Sequence, residues 1–316
     1  MSPRPASAVL QWVVLAAMTA SWGSAFAALR IAVAEIHPAW NTALRLAIAT
    51  AVLGLVMVAR RKRLPPLWPR PHGAWGPYAV SGVAGMALPF LLFAYASQEL
   101  PSAVTAICNG ATPIFVALLA HFLSAGERLT ARRVVGVTLG FGGLVLLVGG
   151  GELRNVDPAH TAAVLAALAG AALYAVSGVS IRRAPPVDAL TGALLVCLTG
   201  LVVALPAALV IGGPPSLNVS SAAVASVLFL GIGPTAVAMI AWVWLTHQRG
   251  ALFASMGTYV APLFATAIGV TFMNERLPPE AFVALALVVA GMVVASRRSP
   301  APSEPDTIVA APARPD

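Results

Sequence analysis

Ten apolar runs of about 20 residues limit what this chain can fold into, because that length crosses the hydrocarbon layer of a bilayer as a helix. The runs do not alternate polar with apolar residues, as strands of a membrane barrel do. Only 9% of the residues are charged and the mean hydropathy is +0.87, whereas soluble domains carry about a quarter charged residues. We therefore predict an all-α polytopic membrane protein with ten transmembrane helices, at about 10–31, 38–59, 74–96, 102–123, 132–150, 160–181, 188–211, 220–244, 250–273 and 279–296.

The first run has an alternative interpretation as a secretory signal peptide. Arg4, an apolar core and Ala25-Phe26-Ala27 resemble the three parts of such a peptide. The run is longer than the usual core of about 7–15 residues, so we favour a membrane-spanning helix.

The basic residues are distributed unevenly between the predicted connecting segments. With the N-terminus in the cytoplasm, fifteen Lys and Arg residues lie in inner segments, and three, Arg30, Arg154 and Arg276, lie in outer ones. An excess of cytoplasmic Lys and Arg sets the orientation of membrane proteins. We predict a multi-pass inner (plasma) membrane protein with both termini in the cytoplasm. The bias accounts for the net charge of +8 without a nucleic-acid partner, and the tail at 298–316, rich in Pro and Ala, is predicted to be disordered.

The chain also contains two copies of one unit. AICNGATPIFVALLAHFLSAGERL, at 106–129, returns as FASMGTYVAPLFATAIGVTFMNERL, at 253–277, and each copy ends on Glu-Arg-Leu. A period near half the chain indicates a duplicated unit. Five spans per unit is an odd number, so the second copy must enter the membrane from the opposite side. The sequence therefore predicts inverted repeats at 10–150 and 160–297, an architecture that binds substrate near the midplane between the repeats.

These features together resemble a known family. The duplicated five-span unit, Trp22-Gly23-Ser24 in span 1, a proline in spans 4 and 9 and both Glu-Arg-Leu closures are similar to EamA-like members of the drug/metabolite transporter superfamily. The resemblance covers about residues 10–297 and implies a ten-helix carrier whose central cavity is lined largely by spans 3, 4, 8 and 9. Members of this family export amino acids and other metabolites, or exchange nucleotide sugars and phosphorylated sugars, and the resemblance implies an activity of this kind. The gap from proline to glutamate is 14 residues in the first copy and 13 in the second, which departs from strict pairing of spans 4 and 9.

Spans 4 and 9 each carry a polar face at helical spacing. In lipid such a face turns inward, where it forms either a cavity wall or hydrogen bonds between helices. The prolines within these faces remove a backbone donor, tend to kink the helix and free carbonyls of the preceding turn. The residues concerned are Thr105, Cys108, Asn109, Thr112 and Pro113 in span 4, and Ser255, Thr258, Tyr259, Pro262 and Thr266 in span 9.

Arg45 lies about seven residues into span 2, and an ionisable group inside the membrane indicates a functional site. It either attracts a substrate carboxylate, or extends to the outer interface or pairs with Glu35. Aromatic side chains with one polar group suit a mixed cavity wall or an interfacial belt. The predicted substrate-binding residues are Trp22, Arg45, Tyr95, Thr105, Asn109, Thr112, Pro113, Trp242, Thr258, Tyr259 and Pro262.

Two further features predict structural roles. Glu127 and Glu275 lie at helix ends beside arginines, which favours ion pairing and helix capping. Gly136, Gly140 and Gly143 form a small-residue face in span 5 that favours close helix packing.

We predict a secondary transporter for small organic metabolites, most consistent with an amino-acid or drug-like compound exporter that alternates access at a central cavity. Alternatives are a non-transporting membrane scaffold or sensor, and a sugar-phosphate or nucleotide-sugar exchanger. Phosphates are usually bound by several Arg or Lys residues, which disfavours the exchanger. No cluster of catalytic groups, metal ligands or phosphate-binding glycines is evident, so we predict neither an enzyme nor a cofactor or metal. The partners predicted are the lipid bilayer and a small-molecule substrate.

Overall fold

In the computed structural model of the protein, every described secondary-structure element is a helix. The described residues are 7–67, 73–123, 131–149, 158–185, 187–216, 218–249, 253–254, 257–277 and 279–296. Six helices are long and apolar enough to cross a membrane: Ala8–Val33, Pro38–Ala59, Trp75–Glu99, Pro158–Arg183, Ala189–Ile211 and Ser221–Arg249. The all-helical class is thereby confirmed for these residues. The tail at 298–316 and the first Glu-Arg-Leu closure, with Glu127, lie outside them.

The helices follow one another along the chain with short connections. Two of the long helices contain an internal π-helical segment, here called π1 and π2. The elements are α1 Ala8–Val33, α2 Pro38–Ala59, α3 Trp75–Gly82, π1 Val83–Ala87, α4 Leu88–Glu99, α5 Ser102–Asn109, α6 Thr112–Leu123, α7 Ala131–Gly149, α8 Pro158–Arg183, α9 Ala189–Ile211, α10 Ser221–Leu230, π2 Gly231–Val237, α11 Ala238–Arg249, α12 Gly257–Phe272 and α13 Pro279–Ser296.

Local sequence explains several helix starts. The hydroxyl of Ser7 accepts a hydrogen bond from the N–H of Leu10 at the start of α1, and Ser220 does the same for Ala223 at α10. Asp188 caps α9 by accepting from the N–H of Thr191. A side chain at this position satisfies a backbone donor that has no partner within the helix. These three helices therefore begin where the sequence supplies a cap.

Two proline–threonine pairs shape the interior of the bundle. Proline at position 113 has no N–H to offer the carbonyl of Asn109, and the hydroxyl of Thr112 donates to that carbonyl instead, at 2.8 Å. In π2 the carbonyl of Leu230 loses its donor at Pro234, and the hydroxyl of Thr235 donates to it at 2.7 Å. The predicted distortion at the proline of span 4 is present as a break between α5 and α6.

The helices pack in four long pairs, α1 with α12, α2 with α9, α4 with α8 and α7 with α13. At the α7–α13 pair, a Cβ atom added to Gly291 would meet the carbonyl oxygen of Gly136 and lie 2.7 Å from the nitrogen of Gly140. Small residues allow this close approach of backbones in lipid. The small-residue face predicted for span 5 is therefore a helix-packing surface.

Glu275 ties together the ends of three helical segments. Its carboxylate accepts hydrogen bonds from the N–H and hydroxyl of Ser102, at 2.9 and 3.0 Å, and from the N–H of Ala103 at 3.4 Å. Arg30, at the end of α1, donates to the same carboxylate at 3.1 Å and to the carbonyl of Leu100 at 3.3 Å. The predicted capping and pairing role of Glu275 is confirmed. We call this group the Glu275 cap.

Candidate functional site

A cavity lies where α1, α2, α4, α8 and α11 meet the two π-helical segments and the break between α5 and α6. A volume of about 70 Å³ is open to water-sized molecules. One water needs roughly 10–15 Å³ by such a measure, whereas pockets that bind drug-sized ligands measure about 300–1,000 Å³. Its walls must therefore separate to admit an organic molecule. The described lining residues are Trp22, Ala25, Phe26, Leu29, Arg45, Gly85, Met86, Phe90, Phe93, Asn109, Thr112, Tyr174, Ser177, Pro234, Met239 and Trp242.

Arg45 is the charged residue among the described lining residues, and its side chain is held in place from two sides. Its Nε donates to the hydroxyl of Thr235 at 2.6 Å, and that hydroxyl donates onward to the carbonyl of Leu230. The guanidinium carbon lies 3.7 Å from the centroid of the Phe90 ring, close enough for a cation–π interaction. A cation fixed in this way is ready to receive an anion without first ordering its side chain.

Trp22 connects the first span to π2 across the cavity wall. Its indole Nε1–H donates to the carbonyl of Pro234 at 3.0 Å. The π-helical geometry of this segment leaves that carbonyl accessible to a side chain. The polar atom of Trp22 is therefore satisfied by the backbone, and its ring is left as an apolar wall.

Six of the described lining residues are aromatic. The rings of Trp22 and Trp242 are 5.5 Å apart between centroids and tilted by 48°. Phe93 stacks on Tyr174 at 5.6 Å and meets Phe26 edge to face at 6.0 Å. Rings in these arrangements give a rigid apolar surface. The described lining thus combines one fixed cation with several aromatic rings.

The residues predicted to bind substrate fall into three groups. Five of them border this one cavity, whereas Thr105 and Tyr95 do not. Thr105 is fully buried and donates to the carbonyl of Pro101. Tyr95 is 39% exposed on the outside of α4. Pro262 is buried inside α12. The side chains at positions 113, 258 and 259 lie outside the description. The five on the cavity are Trp22, Arg45, Asn109, Thr112 and Trp242.

The sequence predictions did not include several lining residues. Tyr174 lies 152 positions after Trp22, so the duplication that relates these two residues was a usable signal. Phe90, Phe93 and Met239 carried no signal, because apolar side chains that line a cavity look like those that face lipid. The described lining comes from spans 1, 2, 3, 4, 6 and 8, which adds spans 1, 2 and 6 to the set implied by the family resemblance.

The alternatives considered for Arg45 are decided by its surroundings. Its relative exposure is 6%, so it does not extend to the interface. Glu35 accepts hydrogen bonds from the hydroxyl and the N–H of Ser220, both at 2.6 Å, and these bonds lower the pKa of its carboxyl. Arg45 therefore belongs to the cavity and Glu35 to the cap of α10.

The sequence matches a known protein family over most of its length. The profile of the EamA-like transporter family matches residues 9–149 and, a second time, residues 161–297. The chain belongs to the EamA-like transporter family. The resemblance seen in the sequence is thus confirmed, and this protein is a membrane transporter of that family.

Individual relatives of this EamA-like transporter cover almost its whole length. The aromatic amino acid exporter YddG of Ancylobacter novellus is 28% identical over 92% of this chain and 94% of its own. A probable terminal-alkyne amino-acid exporter of Streptantibioticus cattleyicolor is 26% identical over 88% and 91%. One protein of known crystal structure is 25% identical and superposes with a TM-score of 0.67, covering 92% of this chain and 98% of that one.

Proposed function

We propose that this EamA-like transporter carries small amphipathic organic metabolites, of the amino-acid or drug-like class, out of the cell. It works by alternating access at the cavity between two inverted five-helix repeats. The observation that carries the proposal is the internal cavity with a rigid aromatic wall and a few placed polar groups, which is the usual composition of a small-molecule site. The names of two relatives, both amino-acid exporters, support the substrate class.

The cavity bears on the alternative functions as well. A scaffold or sensor needs no polar group inside the bundle, whereas Arg45, Asn109 and Thr112 border this cavity. A sugar-phosphate exchanger calls for several buried cations, and Arg45 is the charged residue among the described lining residues. An amphipathic organic substrate fits this lining better than a phosphorylated one.

Several observations support ten spans in two inverted repeats. The family profile matches the chain twice, and π1 and π2 begin 148 residues apart, at Val83 and Gly231. Contacts between connecting segments join segments predicted to lie on the same side: Lys62 with Asp188 inside, and Glu35 with Ser220 outside. These contacts support the grouping of the segments on two sides, and the fifteen-to-three charge bias favours cytoplasmic termini in the inner membrane.

Cysteine labelling tests this topology in intact cells. We expect Leu64→Cys, in the segment after α2, to resist a membrane-impermeant maleimide, because that segment is proposed to be cytoplasmic. Ser216→Cys, in the exposed segment between α9 and α10, should be labelled. The native Cys108 and Cys197 are both buried, which keeps the background low. Labelling of Leu64→Cys from outside contradicts the proposed orientation.

Transport by the purified protein in liposomes tests the function. We expect at least one compound from a panel of radiolabelled aromatic and aliphatic amino acids and amphipathic drugs to leave preloaded vesicles down its gradient. Asn109→Trp should abolish this efflux, because a large side chain would fill the cavity that Asn109 borders. Leu55→Trp, on an exposed face of α2, is the matched control and should retain efflux. Wild-type rates with Asn109→Trp would place the pathway elsewhere.

We further propose that transport is uncoupled from protons and sodium. Proton coupling normally uses an intramembrane Asp, Glu or His. The described lining residues include none of these types. In the same liposomes, accumulation that requires an imposed proton or sodium gradient would refute uncoupled movement and leave the carrier function intact.

A further inference from the structure

We propose that Arg45 is the receptor for a substrate carboxylate and that the cavity prefers apolar monocarboxylates without a free ammonium group. This inference rests on the proposed function and narrows its substrate class. The occupant it predicts is an organic acid with an aromatic or bulky apolar body, such as an aryl carboxylate or an N-acylated amino acid. The donors of Arg45, the charge of the lining and the shape of the walls each favour such an occupant.

The terminal nitrogens of Arg45 are donors that the described hydrogen bonds do not use. Among the described residues, the hydrogen bonds of this guanidinium involve Nε alone, which donates to Thr235. The two described ion pairs lie elsewhere and use Arg30 and Lys62. A guanidinium has five N–H donors in a rigid fork that matches a carboxylate with two parallel hydrogen bonds. Nε already donates to Thr235, and the Phe90 ring covers one face of the guanidinium. The terminal nitrogens are therefore available to a ligand that enters the cavity.

The described lining of the cavity carries a positive charge that no carboxylate in that lining balances. Arg45 is 6% exposed, and a buried cation without an anionic partner is unfavourable. The described lining residues include no carboxylate that could supply that partner. A monoanionic substrate neutralises the cavity. A zwitterion brings an ammonium group as well, which must lose its hydration in a cavity that already holds the cation of Arg45 and whose described lining includes no carboxylate to pair with it. Acylation or absence of the amine therefore favours binding.

The walls of the cavity determine which apolar body the substrate can have. Phe90 covers one face of the guanidinium, at 3.7 Å from its carbon to the ring centroid. The pairs Trp22–Trp242 and Phe93–Tyr174 provide broad apolar surfaces in the same cavity. A substrate whose carboxylate binds Arg45 thus places its apolar body against these rings. Thr235 is a positioning residue, since it holds Nε and so fixes the direction of the fork.

Binding to the full-length protein in nanodiscs tests the inference. Quenching of intrinsic tryptophan fluorescence is the readout, because Trp22 and Trp242 border the cavity. The probes are N-acetyl-phenylalanine, its neutral carboxamide and phenylalanine itself. We expect wild type to bind N-acetyl-phenylalanine about tenfold to a hundredfold more tightly than the carboxamide, the range expected for charge-assisted hydrogen bonds. It should also bind N-acetyl-phenylalanine more tightly than phenylalanine.

Substitutions at Arg45 and Thr235 test whether the preference for the acid over the carboxamide depends on the Arg45 guanidinium. Arg45→Gln should bind acid and carboxamide equally and retain carboxamide binding, which shows that the cavity is still folded. Arg45→Lys keeps the charge without the fork and should retain part of the preference. Thr235→Val should reduce the preference, because Nε loses its partner. Arg63→Gln, at an exposed cation after α2, is the matched control and should behave as wild type.

Three results would overturn the inference: equal binding of acid and carboxamide by wild type, no binding of either probe, or an unchanged preference in Arg45→Gln. The test is separable from that of the proposed function. If a compound of the transport panel is carried and Asn109→Trp blocks it while acid and carboxamide bind equally, the carrier function stands and the carboxylate receptor fails. If N-acetyl-phenylalanine binds at Arg45 and neither it nor any compound of the panel is carried, the carboxylate site stands and the carrier function fails.

Discussion

Glu275→Ala is expected to lower the free energy of unfolding by about 2–3 kcal/mol. The substitution leaves the first N–H groups of α5, at Ser102 and Ala103, without their acceptor, and removes the partner of Arg30. The carboxylate side chain is only 5% exposed, so water does not readily replace it. We place the loss below that of a fully buried ion pair because the Arg30 side chain is 39% exposed.

The measurement is the melting temperature of purified protein in detergent. Glu275→Gln separates the two contributions, because an amide oxygen still accepts from backbone N–H groups while the charge is lost, and we expect an intermediate value. Glu99→Ala is the matched control, since Glu99 is an exposed glutamate at the end of α4. If Glu275→Ala and Glu99→Ala have the same melting temperature, the Glu275 cap does not stabilise the fold.

The Glu275 cap also shows what a single sequence is able to predict. A glutamate beside an arginine at a helix end is a local pattern, so its capping and pairing role was predictable. Its partners were not, because Arg30 is 245 positions away and Ser102 is 173 positions away. Nothing in the local sequence specifies which distant helix end will lie against the carboxylate.

The helices themselves were more predictable than their interior. Length, hydropathy and caps fix where an apolar helix begins and ends, and the range predicted for the second span, 38–59, is the observed range of α2. The π-helical segments were not predicted. The first, Val83–Ala87, contains no proline that would mark it, whereas the second contains Pro234. A side chain at Gly85 would meet Ser177 of α8, so this segment also packs closely against a distant helix.

The cavity was predictable where a side chain is unusual for a membrane helix. Arg45, Asn109 and Thr112 are polar and stand out in apolar runs, and all three border the cavity. Their role in substrate binding stays a prediction. Tyr95 shows the limit of this reasoning: an aromatic ring with a polar group suits both a cavity and an interface, and here it lies on the outside of α4.

Gly291→Val is expected to destabilise the protein by about 1–3 kcal/mol or more, the usual cost of overpacking. Both obstacles to the new side chain are backbone atoms, the carbonyl of Gly136 and the nitrogen of Gly140, which cannot change rotamer to make room. The helices α7 and α13 must move apart along their whole contact. In lipid, where apolar side chains gain little by meeting each other instead of acyl chains, close packing is a main source of helix association.

Gly142→Val is the matched control, because it places the same side chain in α7 with the same change of helix propensity. A Cβ at Gly142 meets nothing within 4 Å. We expect Gly142→Val to melt close to wild type and Gly291→Val to melt lower, with less monodisperse protein in size-exclusion chromatography. Equal melting temperatures for the two variants would mean that the glycine contact does not hold these helices together. The comparison isolates packing from propensity, since both variants replace a helical glycine with the same β-branched residue.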